Sequence, residues 1–307
     1  MKEPFINRMI SLAERDPKLM FLTGDLGYGM VEPFVARFPD QFLNVGVAEQ
    51  NMLGVATGLA MEGHTVFAYS IGNFCTFRCL EQIRNDASYH DANVKIVSMG
   101  GGFSYGGLGI THHATEDLAV LRALPGVKVV APSGNWEAAE ATEAVAKTPG
   151  TIYLRLEKSI APESHTPNEV FTLGKGRTIR DGNDLAFICA GGILGEAMKA
   201  ADALAEQGVR ARVISLHTVK PIDTGIVLRA ARECGGIITV EEHSIDGGLG
   251  SAVGEVLLDH GVPPKFFHRI ALRAGFSSVV GSQAYLRAHY GLDAAAIKAV
   301  AKDYLRK

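Results

Sequence analysis

Short runs of branched apolar residues alternate along this chain with longer stretches in which apolar positions return every three or four residues. Leu19–Leu22, Thr65–Tyr69, Val94–Ser98, Val127–Val130 and Ile152–Leu156 read as strands. The segments after Glu49, around Phe77–Tyr89 and at Trp136–Ala146 read as helices. Strands interleaved with helices imply a parallel sheet covered on both faces. Between Glu157 and Gly182 the periodicity lapses, and Pro162 and Pro167 fall among polar residues. That stretch reads as a linker, with a short strand pair near Val170–Arg180. A second series follows: strand Leu185–Cys189, helix Leu194–Gln207, strand Arg212–Ser215, helix Gly225–Arg232 and strand Ile237–Val240. The expected fold class is therefore α/β, with two parallel-sheet domains at 1–160 and 181–307 joined by a linker at 161–180.

Composition narrows the functional classes. The chain has 307 residues, 47% of them hydrophobic, enough for two substantial cores. Thirty Lys and Arg against 33 Asp and Glu give a formal net charge of -3, so no basic field invites nucleic acid. The four cysteines include Cys75 and Cys79 at a spacing that shares a helix face, but two ligands without a second pair make a poor zinc site. Buried, reduced thiols are expected instead. MKEPFINRMISLAERD at the start reads as an amphipathic helix and not a signal peptide. No apolar run reaches the ~20 residues of a membrane span, so a soluble, cytoplasmic chain is expected.

The most informative stretch is NVGVAEQNMLGVATGL, Asn44–Leu59. An apolar strand end leads to Glu49 and then into a helix. Its small residues Gly54, Ala56 and Gly58 should allow close backbone approach. On spacing alone Glu49 is a first-turn carboxylate favoured by the helix dipole. In DGGLG, Gly247, Gly248 and Gly250 suggest a phosphate loop, but the spacing is not that of a nucleotide motif. A tight turn into a helix at Ser251–Leu258 is expected there. His217 and His243 read as structural histidines of the second domain.

VGVAEQN followed by GLA resembles the glutamate motif of the pyrimidine-binding domain in transketolases and deoxyxylulose-phosphate synthases. The likeness continues in the family's order through FAYSIGNF, GLGITHHATEDLAVLRALPGVKVVAPS, VKPID and TVEEHSIDGGLGSAVGE, covering nearly the whole chain. The chain thus resembles the C-terminal half of transketolase. That resemblance implies thiamine diphosphate chemistry, in which one carboxylate bonds the aminopyrimidine N1′ and lets the cofactor act as its own base at C2. Glu49 matches the carboxylate, and an apolar pocket would raise its pKa. Phe74 and, less closely, Phe77 match the residues that stack on the pyrimidine. Leu80 stands where many relatives carry a third aromatic. His112 matches the active-site histidine of the Thr-His motif, facing substrate carbonyl and hydroxyls, with His113 supporting the loop. Asp25 in TGDLG follows a strand end, where α/β ligands gather. By resemblance it lies beside the cofactor at the subunit junction, and otherwise it is a turn residue. Arg155 matches an arginine that binds sugar phosphate, and otherwise it pairs at the surface with Glu157.

The family's magnesium-binding GDG motif with its downstream Asn is not found in this sequence. The resemblance therefore implies a separate diphosphate-binding subunit carrying Mg2+ (or Ca2+), in a homodimer or an α2β2 heterotetramer. The expected activity is transfer of a two-carbon ketol unit between a ketose and an aldose. GGGFSYGGLGIT before His112 lacks the His-Asp-Ser and Glu-Asp-Gly segments of sugar-phosphate enzymes, and a phosphate-contacting serine is replaced at or near Gly29. A modified, branched or sulfonated sugar fits these departures. Two alternatives stay open: the β subunit of a 2-oxo-acid dehydrogenase, and a non-catalytic partner.

Overall fold

In a computed structural model, residues 1–273 and 275–306 are described. The first unit begins with helix α1 (Lys2–Ala13), strand β1 (Leu19–Thr23), helix α2 (Glu32–Arg37), strand β2 (Phe42–Asn44) and helix α3 (Glu49–Met61). Strand β3 (Thr65–Ile71) leads into the short helices α4 (Gly72–Cys75) and α5 (Leu80–Gln82). Strand β4 (Val94–Met99), helix α6 (Asp117–Ala123), strand β5 (Lys128–Val130), helix α7 (Asn135–Lys147) and strand β6 (Ile152–Leu156) complete it. The second unit runs through β7 (Arg177–Arg180), β8 (Leu185–Cys189), α8 (Leu194–Ala205), β9 (Ala211–Ser215), β10 (Thr218–Lys220) and α9 (Thr224–Glu233). It ends with β11 (Ile237–Ser244), α10 (Leu249–Asp259), β12 (Phe267–Leu272), α11 (Gln283–His289) and α12 (Ala294–Leu305).

The expected α/β fold is present as two mostly parallel sheets. One has the order β10-β5-β6-β4-β3-β1-β2 and the other β12-β11-β8-β9-β7. Each carries one antiparallel edge strand, β10 on β5 and β7 on β9. β4 and β6 are buried at every position because helices cover both faces of the sheet. Burial there is strict enough to bring in Lys95, whose ammonium donates to Thr148 O at 2.6 Å and Gly150 O at 2.8 Å. Desolvation pushes its pKa down to about 7.

The sheets are not independent. β10 belongs by sequence to the second unit yet pairs with β5 of the first, Thr218 opposite Val130. Ala131 N donates to His217 O at 2.7 Å and Gly191 N to Ala131 O at 3.0 Å. One hydrophobic cluster runs from Met52, Leu118 and Val129 to Ile188, Ile214 and Val253, so the two units share a core. This strand exchange closes an edge that β5 would otherwise expose.

Two expectations need correction. Gly54 and Gly58 are exposed, and a Cβ at either would meet nothing within 4 Å, so no backbone approaches them closely within this chain. The helix expected at Phe77–Tyr89 is broken. Residues 76–79 form a turn, and a π-helical segment occupies Ile83–Ser88. Thr76 Oγ1 donates to Gly72 O and Cys79 Sγ to Phe74 O, and such side-chain donors compete with the helical ladder. All four cysteines are free and buried.

The glycine-rich DGGLG segment is a turn into α10, as expected, and its amides are already taken. Leu249 N and Gly250 N donate to the Glu241 carboxylate at 2.7 and 2.8 Å. A Cβ at Gly248 would collide with Glu241 Oε2. His217 and His243 are both fully buried.

Candidate active site

Parallel strands end together on one side of a sheet, and the loops leaving those ends form a shared rim. Here the rim carries Asp25 after β1, Asn44 at the end of β2, Glu49 opening α3, Phe74 in α4 after β3, and the loop of residues 100–116 after β4. Sequence separation between these residues is therefore cancelled by topology.

Glu49 is 3% exposed at the first position of α3, where the helix dipole favours a carboxylate. Gly24 packs against it, and a Cβ there would meet Gly46 O at 3.3 Å and Glu49 Cγ at 3.6 Å. The surroundings of Glu49 in this chain are not apolar alone. Arg78 Nη1 donates to Glu49 Oε2 at 2.8 Å. The same guanidinium lies over the Phe74 ring, 4.5 Å from its centroid. Phe74 in turn meets the His112 ring edge-on at 5.2 Å. Glu49, Arg78, Phe74 and His112 thus form one contiguous row of carboxylate, cation, aromatic ring and imidazole.

His112 is half-buried, with Nδ1 3.0 Å from Thr111 Oγ1 and the Tyr105 ring at 6.2 Å. Desolvation, aided by neighbouring His113, pulls its pKa below the ordinary histidine value and so favours the neutral ring. A neutral imidazole can donate to or accept from a substrate oxygen. His113 is buried and works for the loop. Its Nδ1 lies 2.9 Å from Ser277 Oγ, and its Nε2 lies 3.1 Å from Gly106 O.

Asp25 adopts a left-handed φ of 59° and accepts from Tyr28 Oη at 2.8 Å and Asn44 Nδ2 at 3.1 Å. Those two bonds, Tyr28 first, hold its carboxyl below the usual range. Asn44 Oδ1 also accepts from Asp25 N at 2.9 Å and Gly46 N at 3.0 Å, so one amide fastens the β1 loop to the turn before Glu49. Phe77 lies in the turn after α4, is 37% exposed, and is not drawn into the row formed by Phe74 and His112.

Arg155 does pair with Glu157, but not at the surface as expected. It is 1% exposed at the junction of the two units. Nε donates to Asp117 at 2.9 Å and Nη1 to Glu157 at 2.8 Å. Nη2 donates to Ala114 O at 3.0 Å and Glu242 O at 3.1 Å. The physical reason is its place on β6: this interior strand is buried at every position, so a long cation there must find its anions indoors.

Arg78, Asn44, Tyr28 and Asn73 do not stand out in the sequence. Arg78 leaves one legible sign there, a lone charge inside the run CTFRCL. Among the described residues no cluster of three or more His, Cys, Asp or Glu side chains is placed to hold a metal ion. No helix among them is long and apolar enough to cross a membrane.

Residues 1–163 match the pyrimidine-binding domain of transketolase, and residues 174–297 match its C-terminal domain. The chain is 36% identical to an apulose-4-phosphate transketolase subunit of Phocaeicola vulgatus, over all of its own length and 97% of that protein's. It is 34% identical to the 6-deoxy-6-sulfo-D-fructose transketolase subunit SqwH of a Clostridium species, covering 99% of this chain and 94% of that one. A solved structure described as a split gene transketolase in an inactive beta4 tetramer superposes with a TM-score of 0.88 at 33% identity, covering 99% of this chain and 97% of that one. Two family domains matched in order, with relatives above 30% identity along the full chain, place it in the transketolase family of thiamine diphosphate-dependent transferases, as the subunit of a split enzyme that carries the pyrimidine-binding and C-terminal domains and works with a separate partner subunit.

Proposed function

We propose that this chain binds and activates the aminopyrimidine of thiamine diphosphate for transfer of a two-carbon ketol unit from a ketose to an aldose. A separate subunit holds the diphosphate and its Mg2+ or Ca2+ ion, and the two assemble as an α2β2 heterotetramer, the natural closed arrangement of two copies of each. The single observation that carries the reading is the Glu49 carboxylate. It is buried at a helix N-terminus on the open rim of the sheet, one guanidinium away from an aromatic face.

The residues fit the ring end of such a cofactor. A desolvated carboxylate is an acceptor for one ring N–H, and Phe74 offers a stacking partner that contributes about 1 kcal/mol beyond burial. When bound, the cofactor supplies a nucleophilic carbon that stabilises negative charge on the transferred fragment. Glu49 holds a proton at the ring nitrogen, and Phe74 orients the ring. Arg78 occupies both of these partners in the isolated chain and has to yield them. His112, neutral, donates to or accepts from the substrate's oxygen as charge develops there. Asp25, fixed by Tyr28 and Asn44, shapes the rim where the partner subunit meets this chain.

Arg155 is spent inside the fold, so the acidic group of a sugar must be read by other residues. Relatives whose names specify apulose 4-phosphate and 6-deoxy-6-sulfo-D-fructose support a modified sugar as substrate. Reconstitution with a partner that has the diphosphate site tests the reading. Ketol transfer should appear only with both chains and thiamine diphosphate, and Glu49→Gln should lower it at least about 10²-fold while the variant stays folded. Consumption of a 2-oxo acid without ketol transfer, or undiminished turnover in Glu49→Gln, would refute it.

A further inference from the structure

We propose that Asn73 is the positioning residue for His112, its side-chain amide acting as a clamp between the loop that carries the histidine and the short helix that carries Phe74. Asn73 is the second residue of α4 and immediately precedes Phe74. Its Nδ2 lies 3.0 Å from Thr111 O and 3.1 Å from His113 O, with Ile110 O at 3.4 Å. The two close acceptors belong to the residues on either side of His112. An amide with two protons can serve both, which a serine or threonine hydroxyl, with one proton and a shorter reach, cannot.

The loop needs such a tie. It reads GGLGIT before His112, and Gly109 takes a φ of +79°. Glycine-rich backbone loses more conformational freedom on ordering than other sequence, so it must be held by specific bonds. Within the loop, His112 N donates to Gly109 O at 2.9 Å and His113 N to the same oxygen at 3.2 Å. Those bonds curl the loop without fixing it to the sheet. Asn73 supplies the fixing on the Phe74 side and His113, bonded to Ser277, supplies it on the far side, while the Gly102–Ala114 backbone pair and Arg155 hold the loop's base.

Two further observations agree. A Cβ on Gly72 would lie 2.7 Å from the Ala114 Cβ, so the start of α4 and the end of the histidine loop are packed as closely as backbone permits. Asn73 Oδ1 is buried and has no hydrogen-bond partner among the described residues. The amide is therefore oriented by its donor end alone, because turning it over would aim that oxygen at the carbonyls. The donor end is spent on the carbonyls flanking one histidine.

The role rests on the active-site reading of His112, and the test separates the two. In the isolated full chain, NMR titration of the His112 ring reports its position relative to Phe74, Tyr105 and His113, whether or not the protein is an enzyme. Asn73→Ala and the nearly isosteric Asn73→Asp should both shift the His112 midpoint upward, towards the ordinary histidine value of about 6.5. Asn73→Gln, which keeps the donor, should stay nearer the wild type. In the reconstituted enzyme, Asn73→Asp should lower kcat at least about 10-fold with less than about a 3-fold change in the cofactor's apparent affinity. An unchanged His112 titration in the folded Ala and Asp variants overturns the proposal. An absence of turnover in the wild-type pair would strike the functional reading and leave the titration to decide the clamp.

Discussion

At the scale of single residues, two arginines that each meet carboxylates do different things. Arg78 meets Glu49 with 47% of its side chain exposed, on the rim, where one partner can be exchanged for a ligand. Arg155 meets Asp117 and Glu157 with all three side chains shut away from water. Glu157 shows how tight that enclosure is. Burial raises its pKa to about 7, against the opposing pull of Arg155. Removing the cation would strand buried acids. Arg155→Met should therefore destabilise the fold by about 3–5 kcal/mol in urea unfolding, the range for breaking a buried pair from one side. Where the variant is folded, its KM for an acidic sugar should stay within a factor of about 2 of the wild type. A large KM effect without loss of stability would restore the substrate role.

At the scale of elements, β10 decides more than its three residues suggest. It closes the first sheet, and His217 lies just before it, fully buried with its ring stacked on Phe171 at 4.2 Å. Burial lowers the His217 pKa to about 4. The folded chain then binds fewer protons than the unfolded one between about pH 4 and 6.5, so stability from this group is complete above 6.5 and is lost as pH falls towards 4. The slope approaches about 1.4 kcal/mol per pH unit for one proton. His217→Gln should flatten that part of the stability–pH curve, read as the difference between variant and wild type in urea midpoints at about pH 4.5 and 7. Parallel curves would show that His217 is not the titrating group.

At the scale of the whole molecule, the two family domains behave as one body. β10 pairs across the boundary, the Arg155 cluster gathers Asp117, Glu157 and the Glu242 carbonyl, and one hydrophobic cluster spans both sheets. Residues 162–168 between them are largely exposed and carry no helix or strand. Cleavage after Glu163 should therefore leave the two pieces associated. They should elute together in size-exclusion chromatography without denaturant and separate only in urea. Separation on nicking alone would mean that the shared core and strand exchange contribute little.

Elements with strong periodicity are legible in the amino-acid sequence. The buried strands, α3 and α8 are dictated locally, because a run of branched apolar residues or a 3.6-residue repeat has one economical way to bury itself. Glu49, Phe74 and His112 are singled out by the ordered motifs' resemblance to the family and not by periodicity, which by itself leaves Glu49 a first-turn carboxylate. The break after α4 is not legible, because it depends on where Thr76 and Cys79 point their donors. Nor is the fate of Arg155, which depends on two acids and two backbone carbonyls 2 to 87 positions away along the chain. Sequence by itself determined the elements, their order and the chemistry on offer. Tertiary structure alone decided which charges face the rim and which are sealed inside, because burial and pairing are properties of surfaces brought together across the chain, and no local pattern encodes them.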